Sequence, residues 1–221
     1  MLCRCSAGGI MAGAGFSVRS SRGHWLSAAA ARLGLGQGMT MREFLRSPPG
    51  VGSAFPASAA LVRAALDPVD FSAARLVVEF GPGEGPFTRE LLRRMPAGST
   101  LLTINTSHRF TRYLQESLPD PRLHAVTGSA ASLSAILRRL GLGPVDRIFT
   151  GIPFSTIAPD LGARILDSSV EALGEQGQII AYQMRDAVAP LLAARFAEVR
   201  TARIWRNMPP CRIYWASGRS G

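Results

Sequence analysis

The 221-residue sequence contains no lysine, and all 25 of its basic residues are arginine. A phosphate loop ending in G-K-S/T is thereby excluded. Cysteine is scarce: Cys3, Cys5 and Cys211 form no C-x-x-C pair and no disulfide framework. That usage fits a reducing compartment and points to the cytoplasm. The histidines His24, His108 and His124 lack metal-ligand spacing, so no metal site is expected. No apolar run approaches the roughly 18 residues needed to span a bilayer. A transmembrane segment is therefore not expected, while peripheral membrane contact stays open. Acidic residues are missing altogether from residues 1–38, which carry Arg4, Arg19, Arg22 and Arg32 among many Gly, Ser and Ala. The composition is transit-peptide-like. Two plainer readings take precedence: a disordered extension, or an upstream start codon with Met39 or Met41 as the true beginning.

What is present describes a globular α/β protein. Hydrophobic residues make up 47% and charged residues 18%, and the formal net charge is +10. The length suits one α/β domain with a modest extension. A positive surface attracts anionic partners such as nucleic acid or acidic lipid headgroups; a solvated basic surface without a partner is the competing reading. Residues 42–46 read as a helical turn ended by Pro48-Pro49, and 50–56 as a loop. A helix over 58–66 places Leu61, Val62, Ala65 and Leu66 on one face and stops at Asp67-Pro68. Residues 39–72 are thus expected to be N-terminal helices packing on a core domain of 73–221.

Strands and helices then alternate. Strands are expected near 75–80, 100–104, 123–126, 145–150 and 178–183, the last after a turn containing Gly174 and Gly177. Helices are expected near 86–95, 108–117, 130–140, 159–173 and 186–195. Phe110, Tyr113, Leu114 and Leu118 should face inward. Two further strand-like runs, 198–205 and 212–215, flank a short connection and must be antiparallel neighbours. Repeated βα units imply a mostly parallel sheet with helices on both faces, closed by an antiparallel hairpin. Trp205 and Trp215 are expected in the core.

The most informative segment is Glu79-Phe80-Gly81-Pro82-Gly83-Glu84-Gly85-Pro86, between a strand and a helix. Glycines let backbone pass close to a ligand, and a helix start presents free N–H groups. Pro86 suits the first helical position. The dinucleotide fingerprint G-x-G-x-x-G/A fails, because its third small position falls on Pro86. A glycine-rich turn without a ligand is the bland alternative.

The remaining pattern, E-x-G-x-G-x-G, resembles the first motif of class I S-adenosylmethionine (SAM)-dependent methyltransferases. Three further segments extend the resemblance over about 42–216. Residues 44–58 (F-L-R-S-P-P-G-V-G-S-A-F-P-A-S), Gly151-Ile152-Pro153-Phe154, and Trp205-Arg206-Asn207-Met208-Pro209-Pro210 are similar in order and spacing to segments of bacterial phospholipid N-methyltransferases. Ribosomal RNA adenine dimethylases share the same core. The resemblance implies a Rossmann-like, seven-stranded methyltransferase domain over 73–221 with SAM as cofactor. It implies cofactor contacts from Glu79, Gly81, Gly83 and Gly85, with Glu79 orienting the loop and the methionine moiety. Gly151, Ile152, Pro153 and Phe154 would form the acceptor loop, with a Gly151 or Ile152 carbonyl and the Phe154 ring facing the nucleophilic nitrogen.

Two positions depart from the family pattern. The acid expected after strand two is Asn105, and the acid expected after strand three is Ser129. Charge-assisted bonds are about twice as strong as neutral ones, so Asn105 predicts cofactor binding weakened by roughly 1–2 kcal/mol. Asn105 or Ser107 capping the next helix is a compatible role. Tyr182 and Asp186 are candidates to take a proton from the acceptor. The expected activity is N-methylation of an amine, such as a phospholipid headgroup at an anionic membrane surface. An RNA adenine N-methyltransferase and a non-catalytic fold relative with weakened SAM binding are the alternatives. An Asn-Leu-Pro-Tyr-type loop would favour the RNA reading, and Gly151 stands where it would need Asn or Asp.

Overall fold

The computed structural model describes residues 57–219. The expected 1–38 extension, the helical turn at 42–46, the loop at 50–56 and most of the 44–58 motif lie outside the described residues.

Helix α1 (Ala59–Leu66) opens the described chain. Ser58 caps it, its Oγ accepting from Leu61 N at 3.1 Å as short polar residues do at helix starts. Leu61, Val62, Ala65 and Leu66 form the buried stripe, as their spacing predicts. The Trp215 indole donates to Ala65 O at 3.0 Å and ties this helix to the sheet.

The alternation that follows is β1 (Leu76–Phe80), α2 (Pro86–Arg94), β2 (Thr100–Asn105), α3 (His108–Ser117), β3 (Leu123–Thr127), α4 (Leu133–Leu140), β4 (Val145–Thr150), α5 (Pro159–Ala172), β5 (Leu173–Gln183), α6 (Ala189–Ala193), β6 (Phe196–Ile204) and β7 (Cys211–Arg219). The sheet order is β3-β2-β1-β4-β5-β7-β6. Strands β1 to β5 run parallel, and β7 pairs antiparallel with both β5 and β6. This is the expected seven-stranded architecture with an antiparallel end.

Strand β1 is buried throughout, as a central parallel strand covered on both faces must be. Its two-residue period assigns the faces. Leu76, Val78 and Phe80 join one core cluster with residues of α4 and α5. Val77 joins the other, with Phe87 and Leu91 of α2 and Leu61 of α1. The same period turns Glu79 toward α2, which decides its partner below.

Five expectations need correction. Gly174 to Gly177 is not a turn before β5 but part of it. A Cβ at Gly177 would lie 2.8 Å from Gly174 O, and β4 shifts register between Val145 and Arg147; the glycines form an irregularity within a longer strand. Helix 186–195 is a 3-10 turn (Asp186–Val188) followed by a single helical turn, restarted at Pro190, which has no N–H to continue a helix. Similarly, 130–132 is a 3-10 turn before α4. Trp205 is 68% exposed, with the Arg203 guanidinium 4.3 Å above its ring, while Trp215 is buried as expected. On α3, Thr111 is buried with Phe110 and Leu114, and Tyr113 and Leu118 are only half-buried.

Candidate cofactor and acceptor site

Three backbone bonds continue the sheet one step beyond its strands. Gly81 N donates to Ile104 O at 2.9 Å, Gly128 N to Asn105 O at 2.9 Å, and Gly151 N to Phe80 O at 3.2 Å. They draw the loops after β1, β2, β3 and β4 together at the carboxyl edge. Ligands of open α/β sheets bind at this edge. All four sequence-predicted loops therefore meet there.

The glycines of the first loop adopt positive φ: 67° at Gly81, 55° at Gly83 and 81° at Gly85. They serve different ends. A Cβ at Gly85 would lie 2.7 Å from Leu114 Cδ2, so Gly85 is demanded by the approach of α2 to α3. At Gly83 a Cβ would meet nothing within 4 Å. That open backbone surface is where a ligand can lie against the loop.

At the root of the loop, Glu79 is fully buried. Its Oε2 accepts from Thr88 Oγ1 at 2.7 Å, and its Oε1 has no hydrogen-bond partner. Burial pushes the carboxyl pKa up from 4.5 to about 7, against the lowering effects of the Thr88 bond and the Arg89 charge. Buried polar atoms are nearly always paired, so an orphaned carboxylate oxygen here calls for a donor.

Asn105 ends β2. Its Oδ1 accepts from Ser107 N at 2.9 Å, a local turn that opens α3. Ser107 holds the N-cap position without a side-chain cap bond, so the local role falls to Asn105. Ser129 is half-buried and accepts from Ala131 N at 3.3 Å, starting the 3-10 turn.

The loop after β4 is clamped by Gln183. Its Nε2 donates to Ile152 O at 2.6 Å, and its Oε1 accepts from Phe154 N at 3.2 Å. Gly151, Ile152 and Pro153 are half-buried. Pro153 O accepts from Thr156 N at 2.9 Å and so closes the turn. The Phe154 ring is 6% exposed and joins the core cluster, close enough to α5 that a Cβ at Gly162 would be 3.2 Å from it. Over Gly151 stands Tyr182 instead: a Cβ at Gly151 would lie 2.6 Å from its Oη. The Tyr182 ring stacks on Phe87, centroids 4.1 Å apart and planes 8° from parallel. Burial, then the charge of Glu79, hold its phenol well above the usual 10. Asp186 is occupied elsewhere, its Oδ1 accepting from Tyr214 Oη at 2.9 Å and from Arg212 Nε at 3.1 Å.

No protein-family model matches the chain. Among curated proteins it is 25% identical over 178 residues to an ornithine lipid N-methyltransferase of Singulisphaera acidiphila, covering 80% of this chain and 93% of that protein. Among solved structures it is similar to the N-methyltransferase NodS of Bradyrhizobium japonicum in complex with S-adenosylhomocysteine. That match has a TM-score of 0.57 at 17% identity and covers 72% of this chain and 83% of that one. An O-methyltransferase of Bacillus cereus, also with S-adenosylhomocysteine, gives a TM-score of 0.57 at 15% identity, over 81% of this chain and 90% of that one. The chain has the fold of the class I SAM-dependent methyltransferases. The motif resemblance and the comparisons agree on that fold and on methyltransferase relatives, two of which hold S-adenosylhomocysteine. One neighbour methylates nitrogen and the other oxygen, so the fold does not choose the acceptor.

The residues present fit the cofactor of a class I methyltransferase. The open face of Gly83, the orphaned Glu79 Oε1 and the polar ends of β2 and β3 together offer contacts for a sulfonium amino acid joined to a nucleoside. Among the described residues no group of three His, Cys, Asp or Glu can hold a metal ion. Three contributors escaped the motif reading. Thr88 was signalled by a polar residue within the apolar stripe of α2. Gln183 was signalled by a polar residue closing a buried strand. Phe87 gave no signal beyond its place on that stripe.

Proposed function

We propose that the protein transfers a methyl group from SAM to an amine nitrogen on a membrane-lipid headgroup. The observation that carries this reading is the similarity to the ornithine lipid N-methyltransferase along four-fifths of the chain. The Gly151–Phe154 loop supports it, since a glycine stands where adenine N-methyltransferases carry Asn or Asp.

Bound SAM supplies an activated methyl group on a sulfonium, so the protein's task is alignment and exclusion of water. Gly81, Gly83 and Gly85 hold the loop open, and Glu79 Oε1 would accept from the cofactor's amino group. A cation beside Glu79 favours the ionised carboxylate and offsets the burial that raises its pKa. Asn105 offers one acceptor and one donor to ribose hydroxyls, and Ser129 a hydroxyl near the adenine.

The acceptor nitrogen reacts as the neutral amine. Ile152 O is engaged by Gln183, which leaves the Gly151 carbonyl as the backbone acceptor for the amine N–H. Tyr182 Oη stands beside Gly151, 2.6 Å from where a Cβ would sit. With its pKa raised, this phenol stays protonated at neutral pH and positions the amine by hydrogen bonding. It does not serve as the base proposed from sequence. Asp186, paired with Arg212, does not either, so the amine proton leaves to water. Phe154 shapes the loop from beneath, and the ring stacked over the site is Tyr182 on Phe87.

The test is label transfer from methyl-labelled SAM with the full chain, in separate arms with phosphatidylethanolamine, ornithine lipid and ribosomal RNA. Label in the organic phase is expected with one of the lipids. Label confined to RNA, or absent from every arm with folded protein, overturns the reading.

A further inference from the structure

We propose that the tip of the β6–β7 hairpin is a docking element for an anionic bilayer, and that it seats the enzyme with its acceptor loop facing the lipid. This rests on the lipid-headgroup reading above. The tip carries two large apolar side chains that no packing explains: Trp205 is 68% exposed and Met208 81% exposed. They are not loose. Between them Asn207 is buried and fastens the turn from inside, its Nδ2 donating to Pro209 O at 2.7 Å and its Oδ1 accepting from Ser58 N at 2.9 Å. Ser58 Oγ also donates to Arg206 O at 3.2 Å. A rigid turn thus holds a tryptophan and a methionine outward.

The charge beside them is positive, with Asp186 forming its ion pair with Arg212 at the start of β7. After Glu198 the sequence holds five arginines and no acidic residue. The Arg203 guanidinium covers the Trp205 ring, and Arg206 is exposed next to it. Ser58, which caps α1, joins that helix to the hairpin tip. Tryptophan beside arginine suits the headgroup level of a membrane, where the ring is amphipathic and the cation meets lipid phosphate. An exposed methionine followed by two prolines offers hydrocarbon rather than hydrogen bonds, which favours lipid over the base edges of RNA.

The register supplies the link to function. Ile204 pairs with Cys211, and Arg212 pairs with Gln183. The tip therefore projects from the same sheet edge as the Gly151–Phe154 loop, which Gln183 clamps.

The test uses the full chain with a Trp25→Phe substitution and no SAM. Trp215 is buried away from any vesicle, so a vesicle-induced change in tryptophan emission then reports Trp205. Vesicles of phosphatidylglycerol and phosphatidylcholine should shift that emission to the blue. The double variant Trp205→Ser/Met208→Ser, folded by circular dichroism, should lose on the order of tenfold in vesicle co-sedimentation, and Trp205→Phe should retain it. An unshifted emission with unchanged sedimentation overturns the proposal. So does a double variant that weakens binding to single-stranded RNA while leaving vesicle binding intact. Because no methyl transfer is read, vesicle docking without any lipid methylation sinks the acceptor reading alone. Methylation of detergent-dispersed lipid without docking sinks this proposal alone.

Discussion

Glu79→Gln should stabilise the cofactor-free protein in a pH-dependent way. Glu79 is buried, with one oxygen unpartnered, and its pKa rises from 4.5 to about 7 on folding. In the unfolded chain the carboxyl loses its proton near 4.5; in the folded protein it keeps it until about 7. Between those values the folded state binds more protons, so stability falls as pH rises through the window and is level above it. At ~1.4 kcal/mol per pH unit the full penalty is about 3 kcal/mol. Glutamine keeps the shape, still bonds Thr88 and does not titrate. Urea unfolding from pH 4.5 to pH 8.5 should therefore show the variant gaining on the wild type across the window, by up to about 3 kcal/mol above pH 7. SAM should protect the wild type more than the variant, since only the carboxylate offers a charged acceptor. Parallel stability curves for the two proteins would refute the buried, titrating carboxyl.

Gly151→Ala places a methyl group 2.6 Å from Tyr182 Oη; displacing the ring from Phe87 should cost about 1–3 kcal/mol in thermal unfolding and lower the methylation rate. Gln183→Leu removes the bonds to Ile152 O and Phe154 N. With two backbone groups left unpaired it should destabilise by about 2–4 kcal/mol in urea titration and raise KM for the acceptor, whereas an unchanged KM would separate Gln183 from the acceptor loop. Asn105→Asp restores the acid that the motif lacks, keeps the bond from Ser107 N, and should tighten SAM binding by roughly 1–2 kcal/mol in calorimetry.

Much of the fold was legible because its signals are local. Strand β1 is an apolar run broken only by Glu79 and bounded by turn residues, α1 and α2 carry apolar stripes at helical spacing, and Asp67-Pro68 and Met95-Pro96 stop those helices. The failures share a different cause. Gly174 and Gly177 look like turn formers, yet pairing of Leu173 with Val145 and of Gln178 with Arg147 and Ser217 carries the strand across them. Residues 186–195 have helical composition, yet Pro190 forces a restart. Trp205 looks like core because tryptophan usually is, and only the register of β6 reveals that it lies beyond the last paired residue. The site follows the same rule. Glu79 and the three glycines are contiguous and readable. Thr88 and Gln183 act across the chain, on Glu79 and on the Ile152–Phe154 loop, and no local pattern announces those contacts.

The central claim is that the glycine loop and Glu79 bind SAM. Titration calorimetry of SAM into the full chain, beside Gly83→Asp, tests it most directly. A Cβ at Gly83 meets no protein atom within 4 Å, and the left-handed backbone there costs aspartate about 1 kcal/mol, so the variant should fold with a small loss of stability and place its carboxylate where the ligand lies. Saturable one-site binding in the micromolar range is expected for the wild type and none for Gly83→Asp. No heat from folded wild-type protein at millimolar SAM, or equal binding by the two proteins, would contradict it.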